Sequence, residues 1–379
     1  MEGHVRKRGD KYYYSFEGPK INGKRKRYER VGGKTKKEAY SALRKALEEF
    51  ESTARVFDSS NLSVHDYLNF WYDDYVVRNL KYNSQVTYKR LIDGRISPLI
   101  GKYKLSAVTP HVLQKVIDKE TDDGASKQTV SIIKAIITSS FKRAVYPYEF
   151  IKTSPAQYLV MPKFDKRKSS TKDSLKVFTM EDFSKMQQHV SPEDSFYIPM
   201  HIAFHTGLRR GEVSALTWED ISFHDRTINI DKIIVDKTEG YSIETPKTQS
   251  SYRVIDIGET LVKILKKHKS RQSERRLFYG SNYVESNFVC THPNGELVEP
   301  HSLSYYCRKT KWRSGVDFTF HSFRHTHATM LLENGAKMKD VQYRLGHSSI
   351  LTTMDTYAHV TKKTKKATVD LFENYLEQE

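Results

Sequence analysis

The chain has 379 residues and a formal net charge of +17, from 63 Lys and Arg against 46 Asp and Glu. This length predicts two or three domains, and the basic excess favours a polyanionic partner, nucleic acid before a membrane surface. No run of about 18 uninterrupted apolar residues occurs, so no membrane-spanning helix is expected. The first residues show no apolar stretch typical of a secretory signal. We therefore expect Cys290 and Cys307 to be free thiols in a reducing cytoplasm.

Residues 1–55 are dense in basic side chains and are predicted to form a small domain. Residues 11–16 and 26–31 read as two strands of a hairpin, and Thr35 and Glu38 form a capping box that opens a helix. A basic unit of this size is too small to be an enzyme, and we expect it to read DNA, with a solvated structural hairpin as the alternative. The candidate DNA-binding side chains are Arg6, Arg8, Lys24, Arg25, Lys26 and Arg27.

Residues 62–162 are predicted to form an all-helical domain. Apolar side chains recur at helical spacing in segments that begin near Tyr67, Tyr82, Thr109 and Ser126. The proline directly after Thr109 is typical of the first turn of a helix. No catalytic pattern occurs in this segment, and we expect its aromatic side chains in the core.

A basic stretch without hydrophobic periodicity, residues 163–175, is predicted to be an exposed linker. Its side chains Lys163, Lys166 and Arg167 are candidates for following a phosphate backbone, although charged linkers are usually only solvated. Residues 176–379 form the predicted third domain, which opens with helices, continues with strands and returns to helices. The predicted strands lie at residues 227–230, 233–235, 241–244 and 252–257.

Together these segments predict a multidomain α+β fold. Its parts are a small N-terminal domain with a three-stranded sheet and one helix, an all-α domain, and a mainly α domain with a small antiparallel sheet. No Walker, dinucleotide-binding or nucleophile-elbow pattern occurs, so chemistry driven by ATP or NAD is not expected.

The most informative functional pattern lies between residues 321 and 357. His321 and Arg324 stand three apart at the start of an apolar-periodic segment, so both lie on one face near a helix N-terminus, a ready-made anion site. His347 comes next, directly after a leucine and a glycine, and Tyr357 follows it. A single tyrosine among 24 is more often a packing residue, and Tyr357 is distinguished by its place after His347.

Two upstream positions complete the pattern. Arg209 follows Gly207 and Leu208 after an apolar helix, and Glu212 stands three residues later. Such a run is, by itself, an ordinary helix cap. Lys247 lies in a predicted turn between two strands, where a lysine is usually only solvated.

The types and order of these residues resemble the catalytic signature of the tyrosine recombinases, the phage and transposon integrase family. The positions that carry the resemblance are Arg209, Lys247, His321, Arg324, His347 and Tyr357. The first two domains resemble the arm-binding and core-binding modules of integrases from Gram-positive phages and conjugative transposons. The resemblance therefore extends over essentially the whole chain.

The resemblance implies metal-free cleavage of a phosphodiester, with no cofactor. Tyr357 would attack and form a 3′-phosphotyrosyl link, which conserves the bond energy for ligation. Arg209 and Arg324 would hold the non-bridging oxygens, because the guanidinium fork makes paired, permanently charged hydrogen bonds. Glu212 would orient Arg209, and Lys247 would protonate the leaving 5′ oxygen. His321 would act as a hydrogen-bond donor or proton carrier, and His347 would donate a hydrogen bond to a non-bridging oxygen.

The resemblance also implies an assembly on double-stranded DNA. Four protomers would exchange strands through a Holliday junction at core sites, while residues 1–55 hold separate arm sites and increase avidity through the linker. A basic run at residues 362–366 precedes a predicted helix that would dock on the neighbouring protomer, with packing on its own domain as the alternative. An excisionase and a host DNA-bending protein are expected partners. The protein is expected to act on DNA in the cytoplasm of a bacterial host, and no membrane partner is expected.

Several alternatives stay open at this point. A Xer-like resolvase or an invertase shares the chemistry but typically lacks an arm-binding domain, and a type IB topoisomerase would relax DNA of any sequence. A non-catalytic, sequence-specific DNA-binding regulator would be indifferent to the loss of Tyr357. Zinc binding by His321, His325 and His327 is disfavoured, because no Glu base, cysteine or carboxylate lies at ligand spacing.

Overall fold

A computed structural model of the protein separates into two compact units, residues 1–165 and 166–379. The residues whose structure it describes are 3–21, 24–53, 62–164, 176–246, 248–351 and 354. Among them, no helix has both the length and the hydrophobicity needed to span a bilayer.

The N-terminal part of the first unit is an antiparallel meander covered by one helix. The strands lie in the order β1-β2-β3, and the elements are β1 (Gly3–Arg8), β2 (Lys11–Ile21), β3 (Lys24–Gly33) and α1 (Lys36–Thr53). Glu38 accepts from the Thr35 backbone N–H (3.3 Å), while the Thr35 hydroxyl accepts from the Glu38 N–H (3.2 Å). The capping box predicted from sequence therefore starts the helix. Tyr14, Phe16 and Leu43 form its small core.

The remainder of the first unit is helical, as predicted. Its helices are α2 (Val64–Trp71), α3 (Val77–Asn79), α4 (Tyr82–Leu91), α5 (Ser97–Ile100), α6 (Pro110–Asp122) and α7 (Lys127–Val145). Thr109 and Ser126 cap α6 and α7 by accepting a backbone N–H from the first turn. Tyr67 and Trp71 are completely buried, which confirms that these aromatic side chains belong to the core.

The second unit is mainly helical. Its helices are α8 (Met180–Gln188), α9 (Tyr197–Thr206), α10 (Arg210–Ala215), α11 (Glu259–Tyr279), α12 (Pro300–Ser314), α13 (Phe320–Glu333) and α14 (Met338–Leu345). Its strands are β4 (Ile221–Ser222), β5 (Thr227–Ile230), β6 (Ile233–Asp236), β7 (Tyr241–Glu244) and β8 (Arg253–Asp256). The predicted α+β fold class is thus confirmed.

The strands of the second unit form two sheets instead of the single sheet that was predicted. β4, β5 and β8 make one antiparallel sheet, whereas β6 and β7 make a separate hairpin. Among the described residues, β7 pairs with β6 and β8 pairs with β5, and the turn that contains Lys247 stays a prediction. Residue 247 itself lies outside the described residues.

Candidate active site

The site begins at the C-terminal end of α9. This helix is buried on nearly all sides, and it ends at Gly207 in the left-handed conformation (φ 69°). A β-carbon at this position would lie 2.8 Å from Leu345 and 3.0 Å from His327, so only glycine fits the turn without displacement. The chain then turns directly into α10, and Arg209 stands at its N-terminus.

Glu212 holds Arg209 in place through two contacts. Its carboxylate accepts the Arg209 backbone N–H (2.8 Å) and lies 2.9 Å from Nη1 of the same residue. Arg253 of β8 approaches the carboxylate from the other side, with its two guanidinium nitrogens 2.9 and 3.2 Å from the oxygens. Burial alone would raise the pKa of Glu212, but the charges of Arg253 and Arg209 outweigh it and hold the pKa below its ordinary value.

Arg324 lies on α13 and is only 2% exposed. Its guanidinium donates to the carbonyl of Gly207 (3.0 Å) and to the carbonyl of Leu345 (2.7 Å). Arg209 donates to the next carbonyl, that of Gly346, at 2.9 Å. Gly346 ends α14 in the left-handed conformation (φ 67°), as Gly207 ends α9.

The carbonyl ends of two helices therefore hold both guanidinium groups. The last carbonyls of a helix have no partner inside the helix and carry partial negative charge. Guanidinium donors satisfy them, and the same charge stabilises a permanently charged side chain away from bulk water.

The histidines of the site are neutral near pH 7. Burial lowers the pKa of His321, and the charges of Arg324 and Arg209 lower it further. Burial and the same two arginines lower the pKa of His347 to about 3. Each neutral ring carries one N–H donor, and the positive charge of the site resides on the arginines.

Arg209 lines two open clefts. One has a volume of about 370 Å³ and is lined by Glu212, Pro246, Thr248 and His347 among others. The other, of about 390 Å³, is lined by Thr319, Phe320 and His321 among others. The Arg209 side chain is 38% exposed, so its guanidinium is accessible from solvent.

The structure thus brings together Arg209, Glu212, His321, Arg324 and His347. Lys247 and Tyr357 lie outside the described residues, although Pro246 and Thr248, the neighbours of Lys247, both line the first cleft.

The candidate DNA-binding residues are only partly described. Arg6, Arg8, Arg27 and Lys163 have exposed side chains, and Arg6 Nε lies 3.2 Å from Glu29 Oε1. Lys24, Arg25 and Lys26 belong to β3 without a described side chain, and Lys166 and Arg167 lie outside the described residues.

Two further residues of the site were not predicted: Arg253 and Arg344. His327, expected from the sequence to pack in its helix or to support the site residues, contacts Arg344. Arg253 and Ile255 are the buried positions of β8. The alternation of side chains along a strand could have predicted that Arg253 points inward with Ile255. A buried arginine in turn needs a carboxylate partner. Arg344 stands three residues after the buried Val341 on α14, a spacing that puts it on the inner face.

In the described part of the chain, the histidines of α13 belong to no group of side chains close enough to hold a metal ion. His321 and His325 pack edge to face, with ring centroids 4.4 Å apart. Among the described residues, the group close enough to share an ion is Asp236, Glu299 and His301. There, His301 Nδ1 lies 3.2 Å from Asp236 and 3.0 Å from Glu299, an ordinary ion-pair arrangement.

Comparison with known proteins finds a family match in each of the three predicted domains. Residues 176–364 match the phage integrase family, residues 63–120 match the phage integrase N-terminal SAM-like domain, and residues 4–50 match an Arm DNA-binding domain. The "tyrosine recombinase XerC-like" protein of Caldanaerobacter subterraneus is 30% identical over 96% of both chains. The ICEBs1 integrase of Bacillus subtilis is 26% identical, also over 96% of both.

Solved structures show the same fold. The Tn1549 transposon integrase in complex with a circular intermediate DNA superposes with a TM-score of 0.67 at 21% identity, over 82% of this chain and 100% of that one. A lambda integrase tetramer bound to a Holliday junction superposes with a TM-score of 0.57 at 19% identity, over 91% of this chain and 95% of that one.

Proposed function

The chain belongs to the phage integrase family of tyrosine recombinases, enzymes that cleave and rejoin DNA, and we propose that Tyr357 is its nucleophile. The Tyr357 hydroxyl gives its proton to the neutral His321 ring while its oxygen attacks the scissile phosphorus. The bond from phosphorus to the 5′ oxygen breaks, and a 3′-phosphotyrosyl ester forms. The departing 5′ oxygen takes a proton from Lys247. Attack by a 5′-hydroxyl of the partner strand reverses the steps and releases the tyrosine, without metal or nucleotide.

The observation that carries this proposal is the convergence of two guanidinium groups and two neutral histidines beside the clefts of Arg209. Charge on the non-bridging oxygens increases towards the transition state, so fixed donors stabilise the transition state more than the ground state. Arg209 and Arg324 supply the charge, while His321 and His347 add donors. Their positions are preorganised by helix ends, which avoids reorganisation during the reaction.

We place the enzyme on the attachment sites of a mobile genetic element, where it integrates and excises that element. The domains are assigned as arm-binding (residues 1–55), core-binding (62–162), linker (163–175) and catalytic (176–379). Four protomers would act together through a Holliday junction, with an excisionase and a host DNA-bending protein, in the bacterial cytoplasm. The matches to integrases of transposons and integrative elements support this assignment.

A Xer-like resolvase is the second candidate, because the relative at 30% identity is called XerC-like. That relative matches 96% of this chain, including the N-terminal region. The match of residues 4–50 to an Arm DNA-binding domain favours the integrase, since resolvases typically lack this module.

The test uses nicked suicide duplexes made from the DNA that flanks the gene, incubated with protein in EDTA. Wild type should give a covalent protein–DNA band on a denaturing gel, and Tyr357→Phe should bind the same duplex but give none. Tyr343→Phe is the matched control, because Tyr343 is an exposed tyrosine of the same unit, and it should retain the band. A covalent band from Tyr357→Phe would assign the nucleophile elsewhere. Sequence-specific binding with no band from wild type, even on duplexes with arm sites, would favour the regulator.

A further inference from the structure

We propose that Arg344 and His327 form a positioning pair that fixes the helix-end carbonyls on which Arg209 and Arg324 rest. The proposal rests on the function proposed above, because it assumes that these two arginines bind the scissile phosphate. Neither Arg344 nor His327 lines the clefts described above, and both act through other residues.

Arg344 joins three elements through one guanidinium. Its Nε donates to His327 Nε2 on α13 (2.9 Å), Nη1 donates to the carbonyl of Asp256 at the end of β8 (3.0 Å), and Nη2 donates to the carbonyl of His205 in the last turn of α9 (3.1 Å). These directions use the planar fork of arginine, which a lysine cannot reproduce.

His327 accepts from Arg344 in a single tautomer. Its Nδ1 lies 2.9 Å from the carbonyl of Phe204, and a carbonyl only accepts, so Nδ1 carries the proton. Nε2 then carries an unprotonated lone pair, which accepts the hydrogen bond from the Arg344 Nε–H. Burial, together with the Arg344 charge, lowers the pKa of His327 to about 3, which keeps the ring neutral.

The pair lies at the two helix ends that hold the phosphate-binding arginines. Arg344 directly precedes Leu345 and Gly346, whose carbonyls accept from Arg324 and Arg209. The carbonyl of Arg344 itself accepts from Arg253 (2.9 Å). On the other side, Phe204 and His205 precede Gly207, which holds Arg324.

Loss of the pair should therefore move the C-terminal end of α14 relative to that of α9. Both phosphate-binding guanidinium groups contact carbonyls of these ends, so both would shift with them. A misplacement of about 1 Å at a reacting group costs up to about 100-fold in rate. The overall fold retains its large hydrophobic core, which does not include either residue.

The test compares two suicide duplexes that differ at the scissile position, one with the natural phosphate and one with a methylphosphonate. The methyl group removes the charged non-bridging oxygen, so positioning of the arginines matters much less on that duplex. The variants are Arg344→Lys, His327→Phe and both together. Arg275→Ala is the matched control, because Arg275 is largely buried and also donates to a backbone carbonyl, that of Glu193 (3.0 Å).

On the natural phosphate, we expect Arg344→Lys and His327→Phe each to slow covalent-complex formation by about 10- to 100-fold, with DNA binding unchanged. On the methylphosphonate, the loss should shrink to less than about threefold. The double variant should lose little more than either single one, because both changes break the same link. Arg275→Ala should match wild type on both duplexes.

Equal losses on both duplexes would overturn the proposal and indicate a merely structural role, which a lower melting temperature would accompany. No loss on the natural phosphate would overturn it as well. The two proposals fail differently. If wild type shows no Tyr357-dependent cleavage, both the proposed function and the positioning pair are contradicted. If wild type cleaves but the variants lose the same rate on both duplexes, only the positioning pair is contradicted.

Discussion

At the scale of single residues, Glu212 has the most constrained environment of the site. Its side chain is 2% exposed and contacts two guanidinium groups, one of them on the fully buried Arg253 side chain. Removing one member of a buried ion pair leaves an uncompensated charge, which is far more costly than losing an exposed pair. Arg253 therefore positions Arg209 through Glu212 without lining either cleft.

We predict that Arg253→Met lowers the free energy of unfolding by about 3–5 kcal/mol, because Glu212 then loses its buried partner. Urea denaturation of the full chain measures this loss. Arg226→Met is the control, since Arg226 forms an exposed pair with Glu259 and its loss should change little. A similar midpoint for both variants would show that the Glu212–Arg253 pair does not stabilise the fold.

At the scale of elements, two helix ends of similar geometry form the site. They are the ends of α9 and α14, at Gly207 and Gly346. Outside the site, Gly315 ends α12 in the same left-handed conformation as Gly346 (φ 73° and 67°). A β-carbon at Gly346 would meet Arg253 at 2.9 Å and the Ser250 carbonyl at 3.0 Å, whereas nothing lies within 4 Å of one at Gly315. Glycine at position 346 thus allows both the left-handed turn and the close approach of Arg253 on β8.

We predict that Gly315→Ala costs about 1–2 kcal/mol of stability, the penalty of a left-handed alanine alone. Gly346→Ala should cost more and should also slow cleavage, since the Gly346 carbonyl holds Arg209. Thermal unfolding and covalent-complex formation measure the two effects. Equal stability and unimpaired cleavage in both variants would contradict the close approach.

At the scale of the whole molecule, the second unit buries several histidines in their neutral form. Burial lowers the pKa of His201, His268 and His325 to about 4, from an ordinary value near 6.5. Between these values the unfolded chain binds more protons than the folded one, so stability increases with pH. The contribution is complete above about pH 6.5 and is lost as the pH falls towards 4.

We predict that the melting temperature of the second unit falls steadily from pH 7 to pH 5. His268→Gln should weaken this dependence, because glutamine can donate to the Val289 carbonyl as His268 does (2.8 Å) but does not titrate. His224→Gln is the control, since the His224 side chain is 97% exposed. A pH profile identical in all three proteins would contradict buried neutral histidines as its cause.

The sequence alone was sufficient for the fold class, the family and the order of the candidate catalytic residues. Capping pairs such as Thr35 with Glu38, and helical spacing such as that of Tyr67 and Trp71, are local signals that the structure follows. The set of residues from Arg209 to Tyr357 is recognisable because chemistry constrains residue types, and these are read directly from the chain.

Only the tertiary structure decided that β7 and β8 belong to different sheets, and that Arg253 and Arg344 support the site. Strand partners and carbonyl acceptors are chosen by packing between distant segments, and a backbone carbonyl leaves no mark in the sequence. The arginines of this site bind helix-end carbonyls, which every residue carries. Their partners therefore became visible only when the ends of α9 and α14 were brought together.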